Sequence, residues 1–122
     1  MKQILLVDDY ESGRHVLREK LEMQGYVCRE VKDGAEALSI IQQKHFDLVI
    51  TDNQMPVMTG LELLQALAKT PKNLRLPIIL LTGNLTEPLQ KAAKLAGASA
   101  VLKKPYKDQE LLSAITRILG ET

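Results

Sequence analysis

At 122 residues the chain is long enough for one hydrophobic core and too short for two independent domains, so a single domain over 1–122 is expected. Its 16 Lys and Arg against 15 Asp and Glu leave a net charge of +1, which excludes a nucleic-acid or acidic-membrane binder that works through overall charge. One cysteine, Cys28, excludes an intramolecular disulfide and a cysteine-based zinc site, and it is expected as a buried strand thiol.

Met1-Lys2-Gln3 leads into a short apolar run, Ile4-Leu5-Leu6-Val7, before Asp8 and Asp9. That run is too short for a signal peptide, and no apolar stretch approaches a membrane span, so a reducing cytoplasm without membrane insertion is expected. The run itself reads as a strand covered on both faces. Val16, Leu17 and Leu21 then follow helical spacing up to Gly25, a suitable residue just past a helix end. Residues 26–31 read as a second strand, Asp33-Gly34 as a turn, and 35–43 as a helix with Ala35, Leu38 and Ile41 on its apolar side. Residues 47–51 form a third strand. Gly60 opens a helix bearing Leu61, Leu64, Leu67 and Ala68, and Thr70-Pro71-Lys72-Asn73 is a polar breaker. Pro77 precedes a fourth strand over 78–82. Thr86 as N-cap, with Pro88 in the first turn, starts a helix that stops at Gly97. A fifth strand over 100–102 and a helix over 107–119 complete five βα units. The rhythm predicts one α/β domain whose right-handed crossovers put helices on both faces of a parallel sheet.

In such sheets the polar residues that follow the strands share one edge, where ligands bind. Asp8 and Asp9 follow the first strand, Asp52 the third, Thr82 ends the fourth, and Lys103-Lys104-Pro105 follows the fifth. One acid after a strand is often only a helix cap. Three carboxylates, a hydroxyl and an ammonium converging on one edge are harder to explain that way. Two like charges about 4 Å apart repel by about 4 kcal/mol at an effective dielectric near 20. Clustered carboxylates must therefore take up a proton or a cation, and an all-oxygen set without His or Cys favours a hard cation such as Mg²⁺ over zinc.

The run Asp52-Asn53-Gln54-Met55-Pro56, then Gly60, with Asp8-Asp9 upstream and Thr82 and Lys104-Pro105 downstream, resembles the receiver domains of two-component response regulators. The resemblance spans essentially the whole chain. It implies a flavodoxin-like (βα)5 three-layer sandwich with a parallel sheet of order 2-1-3-4-5. It also implies that Asp52 accepts a phosphoryl group from a sensor histidine kinase or phosphotransfer domain. Asp8, Asp9, Asp52 and the Gln54 backbone carbonyl would hold Mg²⁺ (or Mn²⁺), Lys104 and Thr82 would bind phosphoryl oxygens, and the Lys104-Pro105 bond would be cis. Such a domain is a signalling phosphoacceptor that catalyses only its own phosphorylation and slow dephosphorylation, and it acts on an output partner or a linked effector domain rather than directly on nucleic acid.

Some positions depart from the commonest receiver pattern. Val101 stands where an aromatic usually swings with the threonine, and Gly83 replaces a commoner alanine, which is expected to loosen its loop. Gln54 and Asn84, near the phosphoryl position, offer no general base. Lys91, Lys94, Lys103 and Lys107 with Glu87, Asp108 and Glu110 read either as a partner-docking face or as solvated helix surface. His15 and His45 lack partners at metal-ligand spacing and are assigned surface or packing roles. Other functions fit less well. A small-substrate phosphatase with an aspartyl nucleophile would carry it after the first strand, commonly as Asp-x-Asp. A flavin binder would need a Ser/Thr/Gly-rich loop there. A histidine phosphodonor would be all-helical.

Overall fold

A computed structural model describes residues 1–69 and 76–120. The apolar runs become five parallel strands: β1 (Gln3–Val7), β2 (Val27–Val31), β3 (Leu48–Asp52), β4 (Ile78–Thr82) and β5 (Ala100–Lys103). They pair in the order β2-β1-β3-β4-β5, as the family resemblance implied. The central strands β3 and β4 are buried at every position, which is why they read as unbroken apolar runs rather than alternating ones. Between the strands lie α1 (Glu11–Glu22), α2 (Gly34–Gln43), α3 (Gly60–Ala68) and α4 (Glu87–Leu95), and α5 (Asp108–Leu119) follows β5.

Because strand side chains alternate, the sheet separates two cores. Leu5, Val7, Val49, Ile78 and Leu80 face Ala37 and Ile41 of α2, Leu63, Leu64 and Leu67 of α3, and Ala93 of α4. Ile4, Leu6, Leu48, Ile50, Ile79 and Leu81 face Leu21 of α1 and Leu111, Ala114 and Ile115 of α5. Cys28 is buried in the second core, as expected, and burial pushes its thiol up to about 11, so it stays protonated and unreactive.

Local chemistry sets the helix starts. Thr86 caps α4 with proline in the first turn, as the sequence predicts, and Thr59 and Glu62 form a reciprocal capping box on α3. The α1 and α4 helices run out into Gly25 and Gly97, whose φ angles of 94° and 96° suit glycine. Other expectations shift. Asp33-Gly34 is a helix start rather than a free turn: the Asp33 carboxylate accepts from the Glu36 N–H at 2.8 Å, and Gly34 is the first residue of α2. The buried stripe of α2 is therefore Gly34, Ala37 and Ile41, with Ala35 exposed. Val16 and Ala68 are also exposed, while Leu63 is fully buried. The polar breaker at 70–73 lies outside the described residues.

Candidate functional site

β1, β3, β4 and β5 end together on one edge of the sheet. Register fixes this: Val7 pairs with Thr51, Asp52 with Leu81, and Thr82 with Lys103. Asp52 is the last residue of β3 and is 5% exposed, and Thr82 ends β4 with no exposure. Asp8 and Asp9 follow β1 and Lys104 follows β5, so the fold brings together all five side chains expected at this edge.

One carboxylate oxygen from each of Asp8, Asp9 and Asp52 lies within 4.8 Å of the others. The Lys104 ammonium donates to Asp52 Oδ1 at 2.6 Å and stands 3.9 Å from Asp8 Oδ2. Three carboxylates against one ammonium leave two negative charges uncompensated when all are ionised. Burial, reinforced by the charges of Asp52 and Asp9, raises the Asp8 carboxyl above its ordinary value, although the Tyr10 N–H and Lys104 pull the other way. The Lys104-Pro105 bond is cis, as expected.

The loop from β3 to α3 is fixed by its own backbone. The Asn53 N–H donates to the Leu81 carbonyl at 2.8 Å, its side-chain oxygen accepts from Leu61 N–H at 2.9 Å, and its carbonyl accepts from Gly60 N–H at 3.1 Å. Gly60 is needed for closeness rather than for an unusual φ, since a Cβ there would run into the Asp52 carbonyl oxygen and the Leu80 side chain. Among the described residues no donor reaches the Gln54 backbone carbonyl. The three carboxylates make an oxygen-only donor set of negative charge, which fits a hard divalent cation that keeps part of its water shell.

The loop after β4 is less free than its glycine implied. The Gln54 side-chain oxygen accepts from the Gly83 N–H at 3.0 Å, and the Thr82 hydroxyl accepts from Asn84 N–H at 3.1 Å. Thr82 keeps its own proton to donate. Val101 is half-buried against the core that includes α4, so this strand carries an aliphatic packing residue where the receiver pattern usually has an aromatic. His15 and His45 are surface residues, paired with Glu30 and Glu11 and with Asp47 respectively.

Two residues next to the site escape the strand-end argument. Arg14 donates from Nη1 to the Asp8 backbone carbonyl at 2.6 Å and from Nε to Glu30 at 2.7 Å. The signal in the sequence was Glu30 itself, a charge inside a strand, which implies a buried cation from a neighbouring helix.

Comparison with known proteins gives the same picture. A family model described as response regulator receiver domain matches residues 4–116. Response regulator MprA of Mycobacterium sp. (strain KMS) is 37% identical over 120 residues, covering 98% of this chain and 51% of that protein. The chain spans about half the length of the curated relatives it matches. The chemotaxis protein CheY4 of Vibrio cholerae superposes with a TM-score of 0.90 at 35% identity, covering 97% of this chain and 98% of that one. The response regulator TrrA of Thermotoga maritima, solved in complex with Mg²⁺-BeF, gives 0.87 at 33% identity, covering 97% and 99%. With its strand order, its acidic edge and a family match over most of its length, the chain belongs to the response regulator receiver family of two-component signalling.

Proposed function

We propose that Asp52 is the phosphoacceptor of a Mg²⁺-dependent transfer from a phosphohistidine on a sensor kinase or phosphotransfer domain. The observation that supports this most directly is the buried Asp52 carboxylate, held 2.6 Å from Lys104 and grouped with Asp8 and Asp9. A carboxylate oxygen of Asp52 forms the new P–O bond as the donor P–N bond breaks, and the electron pair of that bond stays on the imidazole nitrogen, which then takes a proton. Asp8, Asp9, Asp52 and the Gln54 carbonyl would hold the Mg²⁺, which would supply charge neutralisation for the phosphoryl oxygens. Lys104 already sits on Asp52 Oδ1 and needs only a small shift to pair with a phosphoryl oxygen. The Thr82 hydroxyl donates to another. The rigid loop from β3 to α3 holds the nucleophile in line, and that positioning does most of the remaining work.

Phosphorylation adds about −1.5 to −2 charge and three acceptor oxygens beside Thr82. The donors nearest in the chain, the N–H groups of Gly83 and Asn84, are committed to Gln54 and Thr82 in the resting state. The new anion competes for them, which couples the modification to the loop leading into α4 and so to an output partner or linked effector domain in the cytoplasm. The chain acts as a switch and turns over only its own aspartyl phosphate.

Acetyl phosphate with Mg²⁺, followed by intact mass, tests this. A stoichiometric phosphoryl adduct is expected on the wild type and none on Asp52→Asn. Turnover of acetyl phosphate without an adduct on the wild type would instead point to a small-substrate phosphatase.

A further inference from the structure

The acidic turn after β1 is held from outside the sheet edge. Its Asp8 N–H donates to the Val31 carbonyl at a long 3.3 Å, and the Asp8 carboxylate accepts from the Tyr10 N–H at 3.0 Å. The shortest contact is the Arg14 guanidinium on the Asp8 carbonyl at 2.6 Å. That carbonyl belongs to the peptide joining Asp8 to Asp9, so its orientation governs where both carboxylates point. Arg14 is in turn fixed by Glu30 in β2 at 2.7 Å, with side chains only 12% and 9% exposed. His15 and Arg18 also reach the Glu30 carboxylate, at 2.8 and 3.2 Å.

We propose that Arg14 is a positioning residue for the divalent cation. Anchored on Glu30, it aims the Asp8–Asp9 peptide so that both carboxylates converge on Asp52. This rests on the cation site described under the proposed function. The planar guanidinium suits the task because its donors leave in fixed directions, one towards Glu30 and one towards Asp8; a lysine ammonium is a point charge without that fork.

Two effects of Arg14 oppose each other, and their signs separate them. As a positive charge near a cation site it repels Mg²⁺, so removing it should tighten binding. As a clamp it prepares the ligands, so removing it should loosen binding. Glu30 already neutralises most of the charge at close range, and the clamp wins. Loss of a group that orients metal ligands typically costs roughly 10- to 100-fold in affinity.

The test is a Mg²⁺ titration of the resting protein, followed by amide NMR shifts or calorimetry, with urea unfolding run alongside. Arg14→Ala is expected to raise the Mg²⁺ Kd roughly 10-fold, and Arg14→Lys to recover little of that loss. Arg18→Ala removes another partner of Glu30 without touching Asp8, and its Kd is expected to stay close to the wild-type value. Should Arg14→Ala fail to fold, Arg14→Lys, which keeps the charge and most of the stem, decides the matter. Arg14 variants that bind Mg²⁺ as tightly as wild type, or tighter, overturn the clamp and leave the cation site standing. Equal weakening by Arg14→Ala and Arg18→Ala overturns it too, because a general loosening of the Glu30 cluster would then suffice. A wild type that binds no Mg²⁺ overturns the cation reading, and the clamp falls with it.

Discussion

Glu30 shows how one residue ties the surface of α1 to the sheet. Burial alone would push its carboxyl up, yet hydrogen bonds from Arg14, His15 and Arg18 hold it below its ordinary 4.5. Its partner His15 is raised above 6.5, chiefly by its hydrogen bond to Glu30 and then by that to Glu11. The consequence for stability has a definite sign. A histidine raised on folding contributes stability fully present below pH 6.5 and lost as pH rises through its folded value. A glutamate lowered on folding contributes above pH 4.5 and is lost as pH falls through its folded value. The His15–Glu30 pair therefore helps most between these limits. Thermal unfolding of wild type and His15→Gln is expected to separate at pH 6 and converge by pH 9, while a gap unchanged over that range would show that the imidazole acts by packing alone. Because the imidazole is exposed, the pair gives a small effect that salt should weaken. At this scale much of the site was legible. Asp8, Asp9, Asp52, Thr82 and Lys104 stand at strand ends, and a strand end dictates which edge its residue reaches. Arg14 was not, because its contact depends on how α1 lies over β2, which no local spacing encodes.

The loop from β3 to α3 joins its two elements without slack. Asn53 spends its backbone N–H, its carbonyl and its side-chain oxygen on β4 and the start of α3. Gly60 then passes so close to Asp52 that an added methyl group meets a backbone oxygen, which the β3–β4 pairing holds in place. Gly60→Ala is expected to cost about 1–3 kcal/mol in urea unfolding, the range for forcing a methylene into a packed site. Gly34→Ala meets chiefly the Met58 side chain, whose thioether end can move aside, and should cost less. Equal losses at the two glycines would mean that the approach to Asp52 does not set the cost, since helix propensity alone favours alanine at both. The helices themselves show where sequence reading gives out. Gly60 and Thr86 mark helix starts in the sequence, and α3 and α4 start where expected, α3 on a Thr59–Glu62 capping box that the sequence reading missed. The face of α2 was misplaced at Ala35, which is exposed, while Ile41 is buried and Leu38 packs against the core, because Ala35, Leu38 and Ile41 and the buried stripe Gly34, Ala37 and Ile41 both satisfy helical spacing. Asp33 resolves the ambiguity, since its role as N-cap starts the helix at Gly34.

Across the whole molecule the fold stabilises the site at some cost to itself. Two apolar cores fix the sheet, and the sheet fixes three carboxylates within 4.8 Å of one another with Lys104 as their cation. The strand order was legible only through family resemblance, because five similar parallel strands pair in many orders that satisfy the same apolar pattern. The charge conflict at their ends was legible from chemistry alone, and it is expected to make stability depend on metal. Asp9 is the exposed member, and among the described residues no cation pairs with it. In metal-free buffer Asp9→Asn removes one like charge. Such a pair about 4 Å apart repels by about 1 kcal/mol in water and about 4 at a dielectric near 20, so an exposed group should gain near the lower figure. With Mg²⁺ the balance reverses: a ligand bound only by the folded state at a hundredfold over its Kd stabilises by about 2.7 kcal/mol. The variant, lacking one carboxylate ligand, should receive less. The two unfolding curves are therefore expected to exchange order, with Asp9→Asn the more stable in chelator and wild type the more stable in saturating Mg²⁺. A variant less stable than wild type in chelator would mean that Asp9 holds the turn rather than straining it. An equal response to Mg²⁺ would remove Asp9 from the ligand set. Crossing curves are the one result that both the crowded carboxylates and a shared cation require.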